Sequence, residues 1–294
     1  MHVSFKMNQS KNIAVLLTTY NRKDKTLACL KSLYEQQLPP GVLLTIHITD
    51  DASSDGTPEA VATQYPTVKL YKGNGSMFWA GGMRHTWQQA LATRPSDYLL
   101  VNDDTILTSN AISTLFECVE MAKSTSICIG STIDIETGIQ SYGGSRLTSA
   151  RKWKSIMIEA GDTYMQCDFG NANIMLVPAT IVNTIGILSD VFTHSLADYD
   201  YTLRAKKAGF KVLIAPGYLG TCKDDHGNNW KSQKVSLKER IQYLKSPKGL
   251  AYKEYLWFIK NHFPYSYPSA FLKLWLKTFF PFLWENLKPK PAVQ

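Results

Sequence analysis

The chain has 294 residues, 44% of them hydrophobic, which allows one large buried core or a core with an appendage. Its five cysteines (Cys29, Cys118, Cys128, Cys167, Cys222) are scattered, odd in number and without a CxxC pair. That argues against a zinc or disulfide framework and for a reducing compartment. The net charge of +8 sits in the tail: residues 231–294 carry twelve Lys/Arg against Glu239, Glu254 and Glu285, while residues 1–230 come to −1, so a whole-chain nucleic-acid binder loses its support.

Residues 1–11 are polar and read as a loosely attached segment, with no apolar region of a secretory signal. No apolar run reaches the length of a membrane span. The expectation is a cytoplasmic protein, soluble or peripheral on the inner face of the cytoplasmic membrane.

Asn12–Thr18 is a strand-like apolar run, followed by the polar break Thr19-Tyr20-Asn21-Arg22. Asp24–Gln37 places Leu27, Leu30, Leu33 and Tyr34 at helical spacing before Pro39-Pro40-Gly41. Val42–Thr49 is a second strand ending in Asp50-Asp51-Ala52-Ser53-Ser54-Asp55-Gly56. Thr57 reads as an N-cap with Pro58 at the first helical position, opening a helix to about Tyr65. Thr67–Tyr71 is a third strand, Gly73-Asn74-Gly75 a turn, and Met83–Thr93 a helix.

Tyr98–Val101 is a strand that stops at Asn102-Asp103-Asp104. Asn110–Met121 is helical, Ser126–Ile133 a strand, and Thr137–Trp153 a set of hairpins and loops. Gly170–Val177 is a strand, Ala179–Ile187 and Asp198–Ala208 are helices, and Lys211–Ala215 is the last strand. Strands alternating with helices of this size predict an α/β fold with a largely parallel, doubly wound sheet. From Ser236 the pattern is helical, broken at Pro264, Pro268 and Pro281.

Ligands of such a sheet bind beyond the carboxyl ends of its strands, and two strands here end in paired acids. Asp103 and Asp104 suit Mg²⁺ or Mn²⁺ holding a phosphate; a helix cap accounts for them equally well. Asp51 and Asp55 fit either a nucleoside contact or an Asx-turn. Asp198 is either a general base or an acid at the positive end of a helix dipole. His226 is a loop histidine, solvated or a metal ligand. Trp79-Ala80-Gly81-Gly82 places an aromatic beside glycines that let backbone approach a ligand. No dinucleotide fingerprint, Walker loop or nucleophile elbow is present.

In this order the motifs resemble the family 2 glycosyltransferases, inverting enzymes of the GT-A fold, from about Asn12 to Trp230. The resemblance implies a transferase domain over residues 12–230 and a helical extension over 231–294. It implies nucleotide contacts at Thr18, Tyr20, Arg22, Asp51 and Asp103, with Asp51 on a uracil or thymine base. The donor sugar then falls near Trp79, Gly81 and Gly82, the metal on Asp104 and His226, and the catalytic base on Asp198. Asn102, Ala197, Arg84 and Thr86 depart from the family pattern. The Trp-x-Gly-Gly run is similar to that of bacterial rhamnosyl and related surface-polysaccharide transferases. The expected partners are a UDP- or dTDP-sugar donor and a glycan or polyprenyl-linked acceptor, with no nucleic acid.

Two other readings stay open: a nucleotidyltransferase, and a membrane-docked binding module with a degenerate transferase domain. The aromatic, basic tail fits an interfacial helix on an anionic membrane, or an appendage packing on the domain or on a second copy in a homodimer.

Overall fold

The structure is a computed structural model, and it describes residues 11–224 and 235–282. The chain forms two compact units. Of the described residues, the larger comprises 11–146, Ile156–Thr193 and Ala197–Asp224; the smaller comprises Leu147–Ser155, His194–Leu196 and 235–282.

The larger unit is built on the expected α/β sheet. Its first half alternates strands and helices: β1 (Lys11–Thr19), α1 (Lys23–Tyr34), β2 (Val42–Asp50), α2 (Thr57–Gln64), β3 (Lys69–Lys72), α3 (Phe78–Ala90) and β4 (Asp97–Val101). After β4 come β5 (Ile106–Leu107), α4 (Ala111–Met121), β6 (Ser126–Ile133), β7 (Gln140–Tyr142), β8 (Gly144–Leu147), β9 (Ser155–Met157), β10 (Met165–Cys167), β11 (Phe169–Gly170) and β12 (Ile174–Pro178). Next are α5 (Ala179–Ile185), α6 (Ala197–Lys207) and β13 (Lys211–Thr221).

The main sheet runs β10-β13-β6-β12-β4-β1-β2-β3, and β8, β9 and β11 form a small second sheet. Strands β3, β2, β1 and β4 are mutually parallel. The sequence pattern did not foretell that β12 enters antiparallel between β4 and β6. That reversal brings the start of β12, Ile174, opposite Val101 at the end of β4.

The core follows from the apolar runs. Ile13–Leu17 and Leu99–Val101 are wholly inaccessible, and Leu30, Leu33, Val61, Ile112 and Leu115 cover them from the helices. Several expected boundaries move: β13 runs on to Thr221, past the expected Ala215, and β12 starts at Ile174 instead of Gly170. Helix α1 stops at Tyr34, three residues before the expected Gln37. Thr57 is not an N-cap: Gly56, with φ +81°, caps α2, and Thr57 stands in its first turn, bonding the Asp55 carboxylate through both its N–H and its hydroxyl. Helix α3 begins at Phe78, five residues before the expected Met83.

One of its two glycines is a packing position. A Cβ on Gly82 would lie 2.0 Å from Thr18 Oγ1 and 2.9 Å from Thr18 Cβ, so Gly82 lets α3 seat directly on β1. A Cβ on Gly81 would meet only Met77 and Arg84, at 3.4 Å and beyond. Gly82→Ala is therefore expected to lower stability by about 1–3 kcal/mol through overpacking, and Gly81→Ala to hold or raise it. Thermal melts of the two variants check the contrast; equal melting temperatures would refute the packing role of Gly82.

The described part of the smaller unit is helical from Leu237: α7 (Leu237–Lys245), α8 (Tyr252–His262) and α9 (Tyr267–Phe279). Ser236 and Glu239 form a capping box at α7. Pro264 opens a single tight turn, but Pro268 lies within the first turn of α9 and does not break it, since N–H groups there have no intrahelical partner.

Candidate active site

The parallel register sets Thr19 beside Asp50 and Leu16 beside Leu100, so the ends of β1, β2 and β4 share one edge. The loops beyond them are tied together. Ser53 Oγ accepts from Asn21 N–H (2.8 Å), and Asn21 Oδ1 accepts from Ser54 N–H (2.7 Å). Asp55 accepts from Lys23 N–H (3.0 Å). Arg22 Nη1 reaches both acids after β4, Asp103 Oδ1 at 3.2 Å and Asp104 Oδ2 at 2.7 Å, and Lys25 Nζ lies 3.5 Å from Asp104 Oδ2. Burial pushes the Asp103 carboxyl up to about 6, while the Arg22 guanidinium pulls it down. Tyr20 stands out from the same loop, 47% exposed.

The two acids at the end of β2 differ. Asp51 is buried and its carboxylate is taken up by backbone: Oδ1 accepts from Gly75 N–H (2.8 Å), Oδ2 from Met77 (2.9 Å) and Phe78 (3.1 Å). It thereby holds the strap from Gly73 into α3, including Phe78 at the left-handed φ of +53°. Gly73 must be glycine, since a Cβ would fall 2.6 Å from Asp51 Oδ1. Asp50 accepts from Ser53 N–H (2.8 Å) on Oδ1, and its buried Oδ2 has no hydrogen-bond partner among the described residues.

The strap delivers Trp79, whose indole Nε1 donates to Asn102 Oδ1 at 2.7 Å. This bond joins α3 to the end of β4 and gives Asn102 a defined acceptor role. Thr18 is buried, with its hydroxyl donating to Thr49 O (3.3 Å), so its side chain faces α3 and not an open nucleotide site. The family departures have local partners. Arg84 Nη1 donates to the carbonyls of Ser189 (2.8 Å) and Phe192 (3.1 Å). The Thr86 hydroxyl lies buried between Leu17 O (2.9 Å) and Thr49 Oγ1 (2.7 Å). Gly81 borders a cleft of about 480 Å³ that Met77, Arg84, His85 and Thr193 also line.

Asp198 lies in the first turn of α6. Its carboxylate accepts from Ala172 N–H (3.2 Å) on Oδ2 and from its neighbour Tyr199 N–H (2.9 Å) on Oδ1. Asn171 also bonds it and donates to Tyr199 Oη (3.1 Å). Burial raises the Asp198 carboxyl to about 6, partly offset by these donors. Residues 171–173 lead into β12, and Asn173 O accepts from Asn102 N–H (3.2 Å). One three-residue segment thus ties Asp198 to the acids after β4. Asp200, two residues on, is instead paired with Arg204 (2.9 Å), which also holds the carbonyls of Ile185 and Ile187.

Sequence reasoning did not single out Lys25, Asn171, the Ala172 N–H, or Cys222, whose thiol lies 3.6 Å from Asp104 Oδ1. His226 lies outside the described residues. Among those residues no group of three or more His, Cys, Asp or Glu is placed to hold a metal ion. Asp104 and Asp103 still offer the hard oxygens that fit Mg²⁺ or Mn²⁺, ions that take one or two carboxylates and complete their shell with water and substrate phosphate.

A model of the glycosyltransferase like family 2 matches residues 11–243. The chain belongs to that family. Solved structures agree on its GT-A fold at low identity. The S. aureus TarS 1–349 complex with UDP superposes with a TM-score of 0.53 at 13% identity, over 72% of this chain and 60% of that one. The mannosyltransferase PcManGT from Pyrobaculum calidifontis, in complex with GDP-Man and Mn²⁺, gives 0.51 at 14% identity, over 81% and 62%. TarS 1–349 with UDP-GlcNAc gives 0.51 at 14% identity, over 80% and 67%. This family 2 chain spans about 60% of the first two. No curated protein sequence matches it.

Proposed function

We propose that the chain transfers a sugar, with inversion, from a nucleoside diphosphate donor carrying UDP or dTDP. The acceptor is a hydroxyl of a glycan or polyprenyl-linked glycan in surface-polysaccharide synthesis. The observation that carries this reading is the tie of Asp198, through Ala172 and Asn173, to the Asn102–Asp104 turn. It sets a carboxylate with a raised pKa at the same sheet edge as the residues suited to a diphosphate. The nucleotide sugars bound by TarS and PcManGT support the donor class.

Asp198 accepts the proton of the acceptor hydroxyl, which attacks the anomeric carbon as the bond to the diphosphate oxygen breaks. The Ala172 and Tyr199 N–H groups orient the carboxylate for that transfer. Charge that builds on the departing diphosphate meets Arg22 and Lys25. Asp104, with Asp103 behind it, would hold Mg²⁺ or Mn²⁺, and a bound ion supplies Lewis-acid neutralisation of the leaving group. Asp50 and Tyr20 take the base contact in this reading. Asp51 does not, because its oxygens already serve three N–H groups.

Titration calorimetry with UDP, dTDP and GDP, first with Mn²⁺ and then with EDTA, tests the donor site. One nucleotide is expected to bind, and EDTA to weaken it by about tenfold or more. No binding of any of the three to folded protein would overturn the donor assignment. Binding indifferent to EDTA would remove the metal and leave the diphosphate to Arg22 and Lys25.

A further inference from the structure

The smaller unit presents an outward apolar surface. Helix α9 buries Ala270, Leu274 and Thr278 as it packs with α7 and α8. At 100° per residue, Phe271, Trp275, Phe279, Leu272 and Leu276 run on from that buried side as one stripe, its far part exposed. Phe271, Leu272 and Phe279 are 43%, 57% and 45% exposed, and Phe280 and Phe282 continue the surface at 45% and 44%. The stripe is ordered by its own contacts: Trp275 stacks on Phe279 at 5.6 Å between ring centroids and meets Tyr252 edge-on at 5.5 Å. An ordinary surface helix is polar on this side.

The charge around the stripe selects its occupant. The described part of this unit holds eleven Lys/Arg and only Glu239 and Glu254 as acids. Helix α9 has no acid, and Lys273 and Lys277 lie together along one side of the helix, between the stripe and the buried face. A second copy of the same face would bring these like charges together as the apolar surfaces met. An anionic bilayer offers the reverse, apolar depth for the rings and phosphate charge for the lysines. Aromatic side chains also favour the headgroup boundary. Helix α9 spans 13 residues, and no helix among the described residues is long and apolar enough to cross a membrane.

We propose that α9 lies in the plane of an anionic membrane surface, with Phe271, Leu272, Phe279 and Phe280 inserted and Lys273 and Lys277 at the headgroups. The contact is peripheral, so it weakens with salt. It is independent of the donor reading, because it needs no nucleotide.

Sedimentation of the full chain with phosphatidylcholine vesicles, with and without about a third phosphatidylglycerol, tests it. Binding is expected to the anionic vesicles only and to fall steeply between low and high salt. The exposed double substitution Leu272→Ser with Phe279→Ser is expected to weaken binding about tenfold or more, with the far-ultraviolet circular dichroism unchanged. Absence of binding to anionic vesicles by the wild-type chain would overturn the proposal. So would equal binding to both vesicle types, or light scattering that shows a dimer which this substitution dissociates.

Discussion

Asp198→Asn is expected to cut turnover by orders of magnitude and to spare donor binding. An amide keeps the size of the side chain and an oxygen for one of the two backbone donors, Ala172 or Tyr199, so α6 and the segment before β12 stay in place. It cannot take a proton from the acceptor, and general-base contributions of this kind run to about 10²–10⁴ in rate. The expected result is a fall in kcat of that order, with the nucleotide Kd within about twofold of wild type. The pH profile adds a second readout. Burial raises the Asp198 carboxyl to about 6, so the group is protonated, and useless as a base, below that pH. Activity of the wild-type chain therefore rises about tenfold per pH unit up to roughly 6 and flattens above it. The residual activity of the Asn variant lacks that limb. A variant that retains turnover would make Asp198 a helix-capping acid and nothing more.

The second large effect is on Asp51. Replacing it with Ala strands the N–H groups of Gly75, Met77 and Phe78, and Asp51→Asn strands at least one of them. One of its two polar ends must present N–H groups to backbone donors. Each stranded donor costs about 1–3 kcal/mol where water cannot reach it, so a loss of about 3 kcal/mol or more in unfolding free energy is expected for Asp51→Ala and a smaller one, about 1–3 kcal/mol, for Asp51→Asn. Donor binding should weaken with it, because the strap carries Trp79 to Asn102. A direct base contact would give the opposite split: weaker nucleotide binding with the denaturant midpoint unchanged. Denaturation curves and nucleotide titration on the same samples separate the two.

These two acids also mark how far the sequence could be read. The strands were legible because their runs are long and buried on both faces: Ile13–Leu17 and Leu99–Val101 admit no polar side chain. The place of Asp198 at the start of a helix was legible because acids ahead of Arg/Lys-rich residues are a local pattern, whereas its role as a base came only from the family resemblance. Adjacent carboxylates at a strand end were not separable. Which of Asp50 and Asp51 turns toward the strap depends on where β2 stops, and the strap itself comes from residues 73–78. The start of α3 was misread for a related reason. Two glycines after a turn look like loop, yet Gly82 is there for Thr18, 64 positions earlier in the chain, and that contact exists only once the sheet has formed. The antiparallel entry of β12 left no trace at all, since a five-residue apolar run carries no direction. The bond between Trp79 and Asn102 likewise became visible only in three dimensions, although it accounts for an amide at a position where the family resemblance led one to expect an acid.

Asp198 as the base is tested by release of nucleoside diphosphate from a panel of UDP-, dTDP- and GDP-sugars, with water or an added glycan hydroxyl taking the sugar, run with Mn²⁺ and with Asp198→Asn as the control. The expected result is release from at least one donor by the wild-type chain, and loss of that release in the variant while it still binds the same nucleotide. Folded wild-type protein that cleaves none of them, or cleaves one equally well without the Asp198 carboxylate, would contradict it.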